Sequence, residues 1–233
     1  MRGALPPYQV VDDERRPEVY RQRYEAEIRA FDRELGRLLD DLRARGLLAR
    51  TTLAFTADHG ESLGENGWWF THGQTLQREL LQVPLLLRPP GGASPPRREW
   101  APASHLDLLP TALAALGLPA GELRGVDLLA APPPSERVLP QFLRGSWSAT
   151  GATHRLVMTN GTPALFELGD KHEERDLAAE RPELVQALAR AHREFLASHR
   201  LPPLEPERAP TSAEEERALE DLGYGGEDAE HDD

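Results

Sequence analysis

The chain has 233 residues and no cysteine, which excludes a disulfide scaffold, a thiolate metal site and a cysteine nucleophile. Lysine occurs once, at Lys171, so almost all of the positive charge is arginine. No run approaches the ~18 consecutive apolar residues of a membrane-spanning helix, so no membrane span is expected. Residues 1–7 carry no apolar h-region and do not read as a secretory signal; no compartment is assigned. A basic face is missing as well. The net formal charge is −12, and residues 205–233 hold twelve acids against two arginines. Such a run is expected to form a solvated acidic tail and argues against a nucleic-acid partner. What remains, 39% apolar by count, is enough for a core.

The apolar residues are periodic. Tyr20, Tyr24, Ile28, Phe31, Leu35, Leu38, Leu39 and Leu42 recur at steps of three and four, predicting one long helix over 18–46 that stops at Gly46. Residues 51–57 read as a buried strand, 74–81 as a short helix and 83–87 as a second apolar strand. A helix is expected from His105 to Leu116, with Leu106, Leu109, Leu113 and Leu116 on its inner face. This αβ order predicts a partial doubly wound parallel sheet. Beyond a Pro-rich boundary near 130–136 the pattern changes. Short strands are expected at 137–143, 154–159 and 164–168, with Asn160-Gly161 as a hairpin turn, followed by a helix over 182–199. That is a small antiparallel sheet with one packed helix. The expected divisions are thus 1–131, 137–204 and the tail 205–233.

The segment Asp58-His59-Gly60-Glu61-Ser62-Leu63-Gly64-Glu65 follows the 51–57 strand. In open α/β sheets ligands bind beyond the carboxyl ends of the strands. A carboxylate and an imidazole there, with Gly60 free to turn, make half of a divalent-metal site. The plain alternative is an exposed strand-end turn. Glu61 and Glu65 read as solvated loop carboxylates.

Taken together, the long helix, the strand, Asp58-His59-Gly60-Glu61, Thr71-His72-Gly73 and Leu81-Gln82-Val83-Pro84-Leu85 resemble the sulfatase family of the alkaline phosphatase superfamily. So do His105-Leu106-Asp107-Leu108-Leu109-Pro110-Thr111, Leu116-Gly117, Leu165-Phe166-Glu167-Leu168 with Glu173-Glu174, Asp176-Leu177-Ala178 and Leu222-Gly223-Tyr224, in the family's order. The resemblance implies an alkaline phosphatase-like fold and metal-dependent hydrolysis of sulfuric esters. It implies Asp58 and His59 as metal ligands, His72 as a contact for the substrate's anionic group, one divalent cation (Ca²⁺, with Mn²⁺ or Mg²⁺ as alternatives), and a sulfated small molecule or glycan as substrate. The family's first acidic ligand pair and its formylglycine-forming Cys/Ser-x-Pro-x-Arg lie upstream of the Asp-His strand, so this chain is expected to be a carboxyl-terminal portion that is inactive alone. Ser94-Pro95-Pro96-Arg97-Arg98 fits the nucleophile pattern by coincidence, in a loop after the Asp-His motif. Asp12-Asp13 imitates the first ligand pair within a charge run. Leu5 stands where the family carries a substrate-facing histidine. The alternatives are a phosphate or phosphonate ester hydrolase of the same superfamily and a non-catalytic module that keeps the fold.

Overall fold

Pro17 sets the first turn of α1 (Pro17–Ala44), where its missing N–H costs nothing. At the other end Gly46 adopts φ 67°, its N–H bonds Arg43 O at 3.0 Å, and Leu47 N–H reaches Leu42 O at 2.9 Å. This is a Schellman closure, and glycine is the residue that takes its left-handed step without strain. A computed structural model describes residues 5, 10–92, 98, 101–143, 145–198 and 212. The acidic tail except Ser212, and residues 94–97 of the nucleophile-like pattern, lie outside the described residues.

After α1 the order is β1 (Leu53–Thr56), α2 (Arg78–Leu81), β2 (Leu85–Arg88) and α3 (Leu108–Ala115). Four strands follow, β3 (Leu139–Leu143), β4 (Ser146–Thr150), β5 (His154–Thr159) and β6 (Thr162–Glu167), and then α4 (Pro182–Ser198). The chain divides into two compact units, residues 1–196 and 197–233. All of these elements belong to the first, apart from the last two residues of α4. Among the described residues no helix is long and apolar enough to cross a membrane.

Three expectations need correction. β1 and β2 pair antiparallel, Leu53 opposite Arg88 and Thr56 opposite Leu85, whereas a parallel pairing was expected. Parallel neighbours need a crossover, usually a helix, on the sheet face. Between these two strands the chain makes only a looped excursion and the four-residue α2. Nor is β1 buried: Ala54 is exposed and Leu53, Phe55 and Thr56 are half-buried. The inner face of α3 is not the expected leucine stripe, of which only Leu113 is half-buried. Leu106, Leu109 and Leu116 are exposed, while Asp107, Pro110 and Thr111 are buried. Asp107 turns inward because three donors meet it: Ser104 N–H at 2.8 Å, Val126 N–H at 2.9 Å and Arg137 Nη1 at 2.8 Å.

The small sheet runs β3-β4-β5-β6, all antiparallel, as expected except that β4 was not foreseen. Asn160 (φ 49°) and Gly161 (φ 80°) form the two-residue turn between β5 and β6, and both positive angles suit a type I′ hairpin. Ala149, Leu156, Leu165, Leu177 and Leu188 form the buried core of this half, with Leu184 and Val185 of α4 packed against it.

Candidate functional site

Asp58 and His59 leave the end of β1 as the chain enters the loop 57–77. Gly60 is pressed against α2: its N–H bonds Leu80 O at 2.8 Å, and a Cβ on it would stand 1.8 Å from Glu79 O. No other residue type fits there, so the loop's exit from β1 is fixed at this point. His105 Nε2 bonds Ala57 O at 2.8 Å and steadies the residue before Asp58.

The loop then folds back on itself. Phe70 N–H bonds Ser62 O at 2.6 Å, Ser62 N–H approaches Thr71 O at 3.4 Å, and Leu63 bridges to Trp69. Behind this ladder, Leu5, Tyr20 and Phe70 are buried together, with Trp69, Leu63 and Tyr24 against them, and Arg21 lies over the Trp69 ring at 5.6 Å. Leu5 is thus part of the packing that supports the loop. Gly64, at φ 119°, lies under the Trp69 ring, where a Cβ would come within 2.6 Å of it.

The returning arm brings His72 onto His59. The two rings stack with centroids 4.1 Å apart. Asp58 Oδ2 lies 3.8 Å from His59 Nε2. The three residues singled out in the sequence therefore share one patch, although His72 is thirteen positions from His59. Asp58 Oδ1 accepts His59 N–H at 2.9 Å; that bond, followed by the charge of the His59 ring, holds the Asp58 carboxyl below its usual range. His59 Nδ1 faces Gly60 O at 2.8 Å. A ligating histidine typically spends its second nitrogen this way, leaving Nε2 for a cation. Asp58, at 84% side-chain exposure, and half-exposed His59 are accessible. An oxygen and an imidazole nitrogen suit Ca²⁺, Mn²⁺ or Zn²⁺ as part of a ligand set, so these two residues fit a divalent ion. Among the described residues no group of three or more acidic or histidine side chains converges as a complete site.

Two other residues differ from the sequence reading. Glu61, expected in solvent, is only 17% exposed and meets His72 Nδ1 with Oε2 at 3.3 Å. Glu65 accepts Leu63 N–H at 2.6 Å and so braces the loop. The signal for both was the hairpin itself, Leu63 and Trp69 on either side of Gly64 and Gly67. Asp12 and Asp13, the imitation of a ligand pair, stand exposed in a turn with φ 53° and 56°.

Beyond the loop, buried Arg155 of β5 bonds Leu76 O and Glu173, and Arg78 Nη1 bonds Leu168 O at 2.8 Å and Asp170 O at 3.0 Å. These arginines tie the far end of the loop to the small sheet. A cleft of about 590 Å³ opens between the two, lined by residues including Glu65, Glu79, Lys171 and His172. Asp58, His59 and His72 are not among its lining residues.

Known proteins resemble the chain in the same region. The family model described as Sulfatase matches residues 5–118. A low-salt glycan biosynthesis sulfotransferase, Agl7, of Haloferax volcanii is 36% identical over 152 residues, covering 62% of this chain and 36% of that protein. A choline-sulfatase of Rhizobium meliloti is 29% identical over 194 residues, covering 77% of this chain and 37% of that protein. The chain thus spans little more than a third of the length of these curated relatives. Among solved structures, a phosphonate monoester hydrolase from Silicibacter pomeroyi superposes with a TM-score of 0.55 at 24% identity, over 72% of this chain and 38% of its own. At that identity the likeness shows a shared fold.

Proposed function

We propose that the chain is a member of the sulfatase family, whose model matches residues 5–118, and that it supplies the carboxyl-terminal share of a metal-dependent sulfuric ester hydrolase. Asp58 and His59 are its two metal ligands. His72 receives the anionic sulfate group. Residues 1–131 belong to the catalytic α/β part, 137–204 form a subdomain and 205–233 a tail. In this reading β1 and β2 are one margin of a larger doubly wound parallel sheet; antiparallel margins on such sheets are common.

The observation that carries the proposal is the His59–His72 stack beside Asp58, which joins the Asp-His-Gly and Thr-His-Gly motifs into one anion-and-cation patch. A bound divalent cation neutralises the ester's charge. The chain's own residues hold its side of that cation and orient the sulfate through His72. Two ligands are few for Ca²⁺, which takes six to eight oxygens, and no nucleophile is assigned among these residues. The remaining ligands and the in-line nucleophile therefore come from another segment, and these 233 residues turn over no ester alone. The choline-sulfatase likeness and the glycan named for Agl7 support a sulfated small molecule or glycan as substrate.

Calorimetric titration of Ca²⁺ and Mn²⁺ into the wild type and Asp58→Ala tests the ligands. Weak binding that disappears in the variant is the expected outcome, and identical isotherms would remove Asp58 from the site. The fold shared with a phosphonate monoester hydrolase favours one second reading, a phosphonate ester substrate for the same patch. Competition between sulfate and methylphosphonate for the His72 signal separates the two.

A further inference from the structure

We propose that Glu61 is a positioning residue for His72, fixing which imidazole nitrogen is offered to the substrate's anionic group. The inference rests on the reading of His72 as the anion contact and extends it to a residue that neither sequence pattern nor fold likeness assigns.

Glu61 is held from two sides. Its Oε1 accepts Ser62 N–H at 3.1 Å, and its Oε2 faces His72 Nδ1 at 3.3 Å. At 17% exposure its carboxylate is far more enclosed than that of Asp58, at 84%, although the two lie three residues apart. The enclosure comes from the loop ladder, in which Ser62 and Phe70 pair and the returning arm runs alongside Glu61.

A carboxylate accepts hydrogen bonds and does not donate them, so the hydrogen in this contact belongs to His72 Nδ1. The hydrogen bond at one ring nitrogen determines the role of the other. With Nδ1 engaged by Glu61, and one face of the ring covered by His59 at 4.1 Å, the ring has little freedom to flip. Nε2 is the nitrogen left to face a ligand. The ring's contact with Glu61 is made through Nδ1, not Nε2. Glu61 therefore acts on the ester through His72 and does not touch it. Glu65, in the same loop, differs in role, since it bonds the Leu63 backbone and reaches no histidine.

The test is imidazole ¹⁵N spectroscopy on the full chain at mildly alkaline pH, with sodium sulfate as the probe and His72→Ala to assign the signals. The wild type is expected to show the Nδ1–H form of His72. In Glu61→Ala the ring shifts toward the Nε2–H form and sulfate binding weakens about tenfold, the size typical of losing an orienting partner of a functional histidine. Glu61→Gln, which keeps a carbonyl acceptor, retains the Nδ1–H form and most of the affinity. Glu65→Ala disturbs the loop amides without moving the tautomer, which separates positioning from general support. A wild type with the Nε2–H form overturns the proposal outright, as does a Glu61→Ala chain with unchanged tautomer and sulfate affinity. A wild type that shows no sulfate response at His72 removes the anion-contact reading instead, and the tautomer comparison then upholds or overturns the Glu61–His72 pairing by itself.

Discussion

Asp107 shows what a single buried charge does in this chain. Its side chain is fully buried, and its two oxygens accept from Ser104 N–H, Val126 N–H and Arg137, so it joins α3, the segment around 126 and the entry to β3. The neighbouring Thr111 hydroxyl bonds Asp107 O at 2.6 Å and accepts Leu128 N–H at 3.0 Å, closing the same joint. Burial pushes the Asp107 carboxyl up, but Arg137 and the two backbone N–H groups outweigh it and hold the pKa below the ordinary value. The folded-state pKa is therefore lower than the unfolded one. The stabilisation is complete above the unfolded value and is lost as pH falls toward and through the folded value. Asp107→Ala strands Arg137 at 13% exposure and is expected to cost about 3–5 kcal/mol in denaturant unfolding. Asp107→Asn should flatten the acid limb of the stability–pH curve. An unchanged acid limb would show that another carboxyl governs it.

At the scale of elements, the contact of the loop with α2 and the docking of α4 are the two joints that decide shape. Gly60→Ala places a methyl group 1.8 Å from the Glu79 carbonyl oxygen, and because the clash is with backbone the loop must shift. The expected loss is at or beyond the upper end of the ~1–3 kcal/mol of ordinary overpacking, read by thermal melting, together with loss of the His59–His72 stack. On α4, His192 is buried and stacked on Trp147 at 4.0 Å, with Phe142 at 5.0 Å. Burial, then the charge of Arg193, lowers its pKa. An imidazole that resists protonation when folded stabilises fully above the unfolded value and progressively less as pH falls below it. Melts of the small sheet should weaken from neutral toward pH ~5, and His192→Phe should remove that slope. A variant with the wild-type slope would clear His192.

These joints also mark how far the sequence could be read. Gly46 marked the end of α1, and Asn160-Gly161 located the β5–β6 hairpin, because each is a local demand on φ that few residue types satisfy. Asp58, His59 and His72 were recognisable as residue types at particular positions in motifs. β4 was missed because Ser146-Trp147-Ser148-Ala149-Thr150 holds only two apolar residues, Trp147 and Ala149, too few to mark a strand; two of its side chains, Ser148 and Thr150, spend their hydroxyls on Gln141 of β3. The inward turn of Asp107 depends on Arg137, thirty positions away, and Glu61 depends on a hairpin that returns eleven residues later. Long-range partners of this kind leave no periodic trace.

For the whole molecule the decisive feature is how little apolar surface is covered among the described residues. On α1 only Tyr20 is buried, while Ile28, Phe31 and Leu38 are each more than half exposed; Leu86 of β2, Leu109 of α3 and Leu116 just after it are exposed as well. Phe31 meets Phe55 of β1 at 6.0 Å between ring centroids, so the exposed stripe of α1 borders the two-stranded sheet. A two-stranded sheet is marginal in water without a third strand or a packed layer. The proposed function makes β1 and β2 one margin of a larger sheet, and so would set further protein against this side. The 233 residues alone should therefore associate as their concentration rises and melt over a broad range, even though net charge −12 opposes association. Phe31→Glu with Leu38→Glu should reduce self-association in sedimentation experiments without loss of helix, since both positions lie on the exposed side of α1. A sharply cooperative melt of a monodisperse wild-type monomer would mean that this surface needs no cover, and with it would go the argument that the missing ligands come from a segment seated there.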